Sequence, residues 1–306
     1  MCRNLKNHPM STINYIRLFA AICFALLVSR LHAAELPFTV KVSGKGSPVI
    51  FIPGFTCDGS VWNATVTKFS ATNECHVLTI RGFGSEAPSA TPFHLADVKN
   101  GIETYITDHQ LNHVILVGHS MGGFLALWVA SEMHDRLAGV VIVDAVPFMA
   151  ALRDSSAKET GFDSTAAAQF EAMTANQSPQ LRLQYGRMTA MQLCLDTNAH
   201  AAIASWSAKA DPHTAATLLM DMSGTDLRDD VAKIRVPVLS LVAWEPGYGV
   251  PQESIRAMYA QQYSLTPKLT LHVADSSRHF IMYDQPEWFY AELNTFIAQV
   301  VPTSKK

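Results

Sequence analysis

The chain has 306 residues, of which 48% are hydrophobic and 16% are charged, and its formal net charge is −3. This length and composition fit one large α/β domain with an inserted lobe and give ample material for a packed core. The balanced charge and the absence of long charged runs argue against nucleic acid as a partner and favour a neutral or apolar small-molecule substrate.

Residues 1–34 have the layout of a secretory signal peptide. Basic residues precede the apolar stretch 18–28, and Ala33-Ala34 provides a small-residue exit. The apolar stretch is short for a membrane-spanning helix, which needs about 20 residues. His32 or Leu31 would occupy a position that usually holds a small residue, so an uncleaved membrane anchor is the alternative. We therefore expect an exported protein, periplasmic or secreted, that contacts a membrane only if this leader is uncleaved.

From residue 35 onward, strand-like apolar runs alternate with helix-like segments, which favours a mostly parallel sheet with helices on both faces. The predicted strands are 38–42, 49–52, 76–80, 113–117, 140–144, 238–243 and 269–273. The predicted helices of this part are 61–69, 95–109, 121–133, 251–263 and 285–300. Residues 35–147 and 231–306 are expected to form the first and second parts of one core.

Ser120 stands in Gly118-His119-Ser120-Met121-Gly122, between a predicted strand and a predicted helix. The pattern G-x-S-x-G in that context is typical of the nucleophile elbow of serine hydrolases. The turn is so sharp that only glycine-sized residues fit two positions to either side of the serine. We expect Ser120 to be a catalytic nucleophile.

Residues 148–230 contain no convincing strand. They are rich in Ala, Gln, Met and Leu, as in the helix-like stretches 164–176 and 180–196. A long helical stretch between two strands cannot continue the sheet, so we expect an all-helical lid over its carboxyl edge.

His279 is the expected general base. A serine hydroxyl needs a base to accept its proton, and a histidine near the C-terminus follows the serine in the chain order of such hydrolases. His279 lies in the loop after the last predicted strand, from which it can reach the elbow. His119 is rejected because neighbouring residues of the elbow point away from one another, and His113 lies at the far end of its strand.

The acid that orients this histidine is chosen from carboxylates at the same sheet edge. Asp144 ends a predicted strand, and Glu245 follows the next one along the chain. An acid in this place holds the imidazole in one tautomer and stabilises the imidazolium. We favour Asp144, with Glu245 as the alternative acid and a residue such as Asp226 as the remaining possibility.

The oxyanion formed in acyl transfer needs two preorganised N–H donors. We expect one from the amide of Met121, directly after the serine, and one from Phe55 in the turn Pro53-Gly54-Phe55-Thr56. The alternative for that turn is an ordinary strand-to-helix connection with a cap at Asp58 or Ser60.

The cysteines and histidines do not indicate a metal site. Two of the five cysteines fall in the leader, which leaves Cys57, Cys75 and Cys194. An odd number cannot form a complete disulfide framework, and a bond between Cys57 and Cys75 stays open. The twelve histidines are scattered, so we expect no metal.

Over residues 38–300 the chain resembles the α/β-hydrolase superfamily. The motifs that carry the resemblance are Pro-Gly-Phe at 53–55, Arg-Gly-Phe-Gly at 81–84, Gly-His-Ser-Met-Gly-Gly at 118–123 and Arg-His-Phe at 278–280. The resemblance implies an eight-stranded, mostly parallel sheet, catalysis by serine, histidine and an acid, and no cofactor. The chain departs from many members by having Pro53-Gly54 in place of His-Gly. It also has Trp-Glu-Pro at 244–246 in place of the frequent Gly-x-x-Asp acid, which is why Asp144 is favoured.

The chain is thus predicted to be an exported serine hydrolase that cleaves carboxylic esters or related acyl bonds of a small, apolar substrate. A serine nucleophile argues against dehalogenase and epoxide hydrolase chemistry, which uses aspartate in this superfamily. Hydrolysis of amide, lactone or carbon–carbon bonds stays open, because the same residues serve these reactions. A non-catalytic protein that binds a ligand or partner in the same fold is the other alternative. The oligomeric state is not indicated.

Overall fold

The computed structural model of the protein describes residues 35–301. From Pro37 onward, the described chain belongs to one compact unit. The predicted leader lies outside the described residues. Between residues 35 and 301, no helix has both the length and the apolar character needed to cross a membrane.

A single sheet of seven strands forms the centre of the described chain, in the order β1-β3-β2-β4-β5-β6-β7. Its strands are β1 Phe38–Gly44, β2 Ser47–Ile52, β3 Asn73–Ile80, β4 Val114–His119, β5 Leu137–Val143, β6 Val238–Trp244 and β7 Leu269–Asp275. Strand β1 pairs antiparallel with β3, and all other neighbouring pairs are parallel. The predicted mostly parallel sheet is confirmed.

The eight strands implied by the family resemblance are not present in the described residues, which form seven. Only Glu35, Leu36 and Pro37 precede β1 in the described chain, and three residues are too few for another strand. The described sheet therefore begins at its antiparallel edge strand.

Helices cover both faces of this sheet. The helices of the core are α1 Asn63–Phe69, α2 Leu95–Asp108, α3 Met121–Glu132, α8 Gln252–Gln262, α9 Ile281–Asp284 and α10 Pro286–Val300. Alternate residues of a strand face opposite sides. Val141 and Val143 of β5 pack in one cluster with Phe289 and Leu293 of α10. Ile142 instead faces α3, where a Cβ on Gly123 would lie 3.0 Å from its side chain.

Helix α3 is apolar all round and almost wholly buried, as expected of a helix packed on a sheet and under a second helix. It contacts β2, β4 and β5 as well as α2. Each fully buried Leu or Phe contributes about 1.5–3 kcal/mol. This packing fixes the position of the helix N-terminus, which directly follows Ser120.

Residues 148–230, here called the helical segment, connect β5 to β6. Their α-helices are α4 Ser164–Ala175, α5 Pro179–Leu193, α6 His200–Lys209 and α7 Pro212–Gly224. Helix α4 packs against α7, and α5 packs against α6. The described residues of this segment form helices, turns and loops, and no strand. Its role as a lid stays a prediction.

Helix α7 of the helical segment is hydrogen-bonded to the core near each of its ends. The amide of Asp211, the N-cap residue of α7, donates to the carbonyl of Gly82 at 2.7 Å. The carboxylate of Asp221, near the other end of α7, accepts the amide of Leu95 at 2.8 Å. Helix α7 is therefore held at both ends.

Candidate active site

Four loops at the carboxyl ends of the parallel strands contain a non-glycine residue with positive φ. These residues are Thr56 after β2 (φ 60), Ser120 after β4 (φ 54), Asp144 after β5 (φ 50) and Ser276 after β7 (φ 57). Such conformations cost on the order of 1–3 kcal/mol each and cluster at functional sites. In the described chain only two other non-glycine residues share this conformation. The backbone strain therefore concentrates at one edge of the sheet.

The turn that carries Ser120 is closely packed on both sides. A Cβ on Gly122 would lie 2.2 Å from the carbonyl oxygen of Ile52, and a Cβ on Gly118 would lie 2.1 Å from the carbonyl oxygen of Gly122. The amide of Ser120 donates to the carbonyl of Val143 at 2.9 Å. Glycine at 118 and 122 is thus a steric requirement of this turn, as the motif indicates.

The side chains of His279 and Asp144 are hydrogen-bonded, with 2.7 Å between His279 Nδ1 and Asp144 Oδ2. Because a carboxylate only accepts, the proton of this bond belongs to Nδ1. Asp144 Oδ1 accepts two more bonds, from the amide of Ala243 and from the hydroxyl of Tyr259, each at 2.9 Å. The carboxylate is therefore fixed in one orientation, with one oxygen turned to the histidine.

The two other candidate acids are engaged elsewhere. Glu245 Oε1 accepts from Arg278 at 2.8 Å and Glu245 Oε2 accepts the amide of Gly247 at 3.1 Å. Asp226 forms an ion pair with Arg228 at 2.6 Å. Among the three carboxylates considered from the sequence, the structure brings Asp144 to His279.

His119 is buried and packs against the loop that carries His279. Its Nε2 lies 3.0 Å from the backbone carbonyl oxygen of His279, and the two rings are 4.6 Å apart. Because a carbonyl only accepts, Nε2 carries the proton. Burial lowers the pKa of His119 well below 6.5, with a further contribution from His279. His119 is therefore a neutral donor that holds the backbone of the neighbouring loop.

The turn at 53–56 packs directly against the serine turn. A Cβ on Gly54 would lie 2.7 Å from His119 Nδ1 and 3.1 Å from Ser120 Cβ. The ring of Phe55 meets that of Phe83 edge to face, with centroids 5.5 Å apart. Phe55 and Met121, the two expected oxyanion donors, thus lie on turns that touch; their role stays a prediction.

Asp58 connects this turn to the next loop. Its carboxylate accepts the amide of Ser60 at 2.8 Å, which is the cap considered from the sequence. It also accepts the amide and hydroxyl of Ser85, at 2.9 and 2.6 Å. The turn at 53–56 is thus followed by a cap at Asp58, and Asp58 also holds Ser85, which directly follows the Arg-Gly-Phe-Gly motif.

Ser120, Asp144 and His279 line one small cavity of about 180 Å³. The other lining residues are mostly apolar: Phe124, Ala145, Val146, Met149, Leu152, Met222 and Tyr259. Met149, Leu152 and Met222 belong to the helical segment. The cavity suits a compact apolar group next to the serine hydroxyl.

Tyr259 was not singled out from the sequence, although it lines this cavity and holds Asp144. Burial raises the pKa of its hydroxyl well above 10, and the nearby Asp144 carboxylate adds to the effect. Tyr259 therefore stays protonated and donates at neutral pH. The sequence placed Tyr259 on a predicted helix but did not indicate its role, because its partner Asp144 is 115 residues away in the chain.

The loop that carries His279 is joined to the end of α5. Asp284 Oδ1 accepts the amides of Leu195 and Asp196 at 2.8 and 3.0 Å, and its Oδ2 accepts the amide of Arg278 at 2.8 Å. The amide of Phe280 donates to the carbonyl of Leu193 at 3.2 Å. The Arg278 guanidinium also donates to the carbonyl of Met191. We call these contacts the loop network.

The three described cysteines are free and buried. Burial raises the pKa of Cys57 to about 12 and that of Cys75 to about 11, so both are protonated, poorly reactive thiols at neutral pH. Because Cys57 and Cys75 are both free thiols, the structure contains no disulfide between them. Within residues 35–301, no cluster of three or more His, Cys, Asp or Glu side chains could hold a metal ion.

A parallel sheet whose strand ends bring together an elbow serine and a histidine–aspartate pair defines the class of α/β hydrolases. The model of the alpha/beta hydrolase family matches residues 49–292, and the chain belongs to this family. Relatives named as esterases and hydrolases agree. The protein is a hydrolase of the esterase type.

Individual relatives are distant but cover most of the chain. A pimeloyl-[acyl-carrier protein] methyl ester esterase from Vibrio cholerae is 26% identical over 272 residues, which are 84% of this chain and 96% of the relative. A thermophilic esterase from Thermogutta terrifontis superposes with a TM-score of 0.68 at 20% identity, over 86% of this chain and 93% of that one. A bromoperoxidase from Bacillus anthracis superposes with a TM-score of 0.69 at 20% identity, over 85% and 95%. The solved structures share the fold.

Proposed function

We propose that the protein is an exported serine esterase that cleaves small carboxylic esters through Ser120, His279 and Asp144. The observation that carries this proposal is the 2.7 Å bond between His279 and Asp144 in a cavity that Ser120 also lines. The positive φ of Ser120 supports it, because strain at this position is what a nucleophile elbow requires.

In the proposed reaction, Ser120 Oγ attacks the ester carbonyl and its proton passes to His279 Nε2. Asp144 keeps the other ring proton on Nδ1 and stabilises the imidazolium. The amides of Met121 and Phe55 stabilise the oxyanion. His279 then protonates the leaving alcohol. A water molecule then attacks the acyl carbonyl and gives its proton to His279. His279 returns that proton to Ser120 Oγ as the acyl–oxygen bond breaks, which restores the serine and releases the acid.

A small ester is proposed as the substrate because the cavity beside Ser120 holds about 180 Å³ and is mostly apolar. The Vibrio cholerae relative is named for an ester of an acyl-carrier protein. We propose a free ester here because the leader pattern of residues 1–34 favours export. The helical segment is proposed as a lid, since three of its residues line this cavity.

The experiment uses a fluorophosphonate probe, which labels an activated serine. We expect labelling of the wild-type protein, loss of labelling in Ser120→Ala, and full labelling in Ser264→Ala, whose serine is exposed on the surface. A panel of esters, amides, lactones and carbon–carbon substrates then identifies the bond that is cleaved. If the folded wild-type protein is not labelled and hydrolyses no substrate, the proposal is refuted and the binding-only alternative is favoured.

A further inference from the structure

A second cavity, of about 520 Å³, lies between the helical segment and the turn at 53–56. Its walls include Phe55 and Thr56 of the turn, Phe170 of α4, Arg182 and Tyr185 of α5, and Ser207 of α6. We call it the arginine cavity. It combines aromatic walls with hydroxyl groups and a guanidinium, which is the composition of a site for an amphiphilic small molecule.

Arg182 carries the one formal charge among the described residues that line this cavity. Its side chain is half-buried. Its Nη2 donates to the carbonyl of Ala210 at the end of α6, and its buried Nε has no hydrogen-bond partner in the part of the chain that the structure describes. A carbonyl satisfies one donor, and no carboxylate of residues 35–301 forms an ion pair with the guanidinium to balance its charge.

Two other half-buried arginines of this protein are neutralised by carboxylates. Arg228 forms an ion pair with Asp226 at 2.6 Å, and Arg278 forms one with Glu245 at 2.8 Å. Half-buried charges are costly unless they are paired. Neither Arg136 nor Arg182, which are also half-buried, has a carboxylate partner among the described residues. Arg136 donates to the Leu111 carbonyl and the Asn112 side chain, whereas Arg182 lines a cavity, and its guanidinium has the fork geometry that matches a carboxylate.

The arginine cavity is adjacent to the reacting serine. Phe55 lines it, and the preceding residue Gly54 is so close to Ser120 that a Cβ there would lie 3.1 Å from Ser120 Cβ. The cavity that Ser120 lines is smaller and mostly apolar, at about 180 Å³. An ester held at Ser120 has a compact apolar site for one arm, and a second arm that extended past residues 54 and 55 would reach a larger cationic site.

We infer that the arginine cavity binds one arm of the ester and that this arm ends in a carboxylate, which Arg182 recognises. The preferred substrates are then monoesters of dicarboxylic acids, or esters whose alcohol arm carries a carboxylate. This inference rests on the proposed esterase function. It adds the substrate class and a specificity-determining residue outside the proposed catalytic group.

The test compares matched esters with and without the terminal carboxylate, such as the nitrophenyl monoester of adipic acid and nitrophenyl hexanoate. The arm must have the length that places its carboxylate at Arg182 when the ester carbonyl is at Ser120. The test therefore includes longer and shorter homologues, and a second series that carries the carboxylate on the alcohol arm. We expect the wild-type kcat/KM to be about tenfold higher for the best anionic ester, as one charge-assisted hydrogen bond provides. Arg182→Met should remove this preference, with a fall in kcat/KM that is larger for the anionic ester than for the neutral ester and that arises through KM.

Arg187→Met is the matched control, since Arg187 lies on the same helix and is exposed. Its ester preference should equal that of the wild type. Arg182→Lys keeps the charge and should keep part of the preference, which separates recognition from the loss of the Ala210 contact. Thermal melts and the rate of fluorophosphonate labelling report on folding and on Ser120.

Two results would overturn the inference while leaving the esterase proposal intact. One is equal kcat/KM for anionic and neutral esters in a wild-type protein that the probe labels. The other is a loss in Arg182→Met that affects both esters alike. Failure of the probe to label the folded wild type, together with no hydrolysis of any ester, would instead refute the proposed function itself.

Discussion

We expect the substitution Asp144→Asn to move the proton of His279 from Nδ1 to Nε2. Oδ1 of Asp144 accepts bonds from the Ala243 amide and the Tyr259 hydroxyl. Both groups are donors, so the asparagine must place its carbonyl oxygen there and turn its NH2 group to His279. The NH2 group donates, and Nδ1 must then accept.

A histidine with its proton on Nε2 cannot take the proton of Ser120. An equivalent change in a serine protease lowers kcat about 10⁴-fold for this reason, which corresponds to about 5.5 kcal/mol in the activation free energy. We expect a similar loss here because the two donors to Oδ1 fix the amide orientation. The assay is steady-state hydrolysis of a nitrophenyl ester, with the thermal melt of each variant as a folding control.

Glu245→Gln provides the comparison. Glu245 accepts from Arg278 and has no bond to His279 among the described contacts, so we expect at most about a tenfold fall in kcat, the weight of one weakened charge-assisted bond. A collapse of activity in Glu245→Gln together with near-normal activity in Asp144→Asn would refute the assignment of the acid. A small effect of both substitutions would refute the catalytic role of the histidine–acid pair.

Tyr259→Phe should lower kcat by about tenfold to a hundredfold, because Asp144 loses one of its hydrogen bonds; unchanged kcat would show that the Ala243 amide alone positions the carboxylate. His119 makes stability depend on pH. Burial lowers its pKa below 6.5, so below pH 6.5 the unfolded state binds a proton that the folded state does not. The free energy of unfolding therefore falls on acidification, by up to about 1.4 kcal/mol per pH unit for this group. Urea denaturation at several pH values should show a flatter dependence in His119→Gln, with the remaining slope including His76, whose pKa burial also lowers. Parallel curves for wild type and variant would contradict a neutral His119.

The sheet could be predicted from the sequence because buried parallel strands are continuous apolar runs. All seven predicted strands are present, with shifted ends. The predicted strand 140–144 ends at Val143, since Asp144 adopts a positive φ that no sequence pattern revealed. The positions of strands can be predicted because they depend on local composition. The positive φ of a loop residue such as Asp144 depends on contacts with distant residues, so it cannot be predicted in this way.

The helical segment was predicted as helical but only partly divided into its helices. The predicted stretch 180–196 ends as a helix at Leu193, because Cys194 is extended. Helix α7 was not distinguished, although Asp211-Pro212 is a recognisable start: the aspartate accepts the amide of Thr214, and proline occupies the first turn.

The choice between acids could not be made from the sequence. Asp144 and Glu245 both follow strands that end at the same edge of the sheet, so strand order does not distinguish them. The two carboxylates are distinguished by their partners in the folded chain. Asp144 binds His279, which is 135 residues away, and Glu245 binds Arg278, which is 33 residues away. Arg278 and His279 are neighbours in one loop, yet they bind different carboxylates. This pairing can be seen only in the folded structure.

The loop network limits how the helical segment can be exchanged between relatives. Here Asp284 accepts two amides of residues 195 and 196, and the amide of Phe280 donates to Leu193. A foreign segment without these partners would release the loop that carries His279. A working chimaera of this fold must therefore inherit residues 276–284 together with the segment.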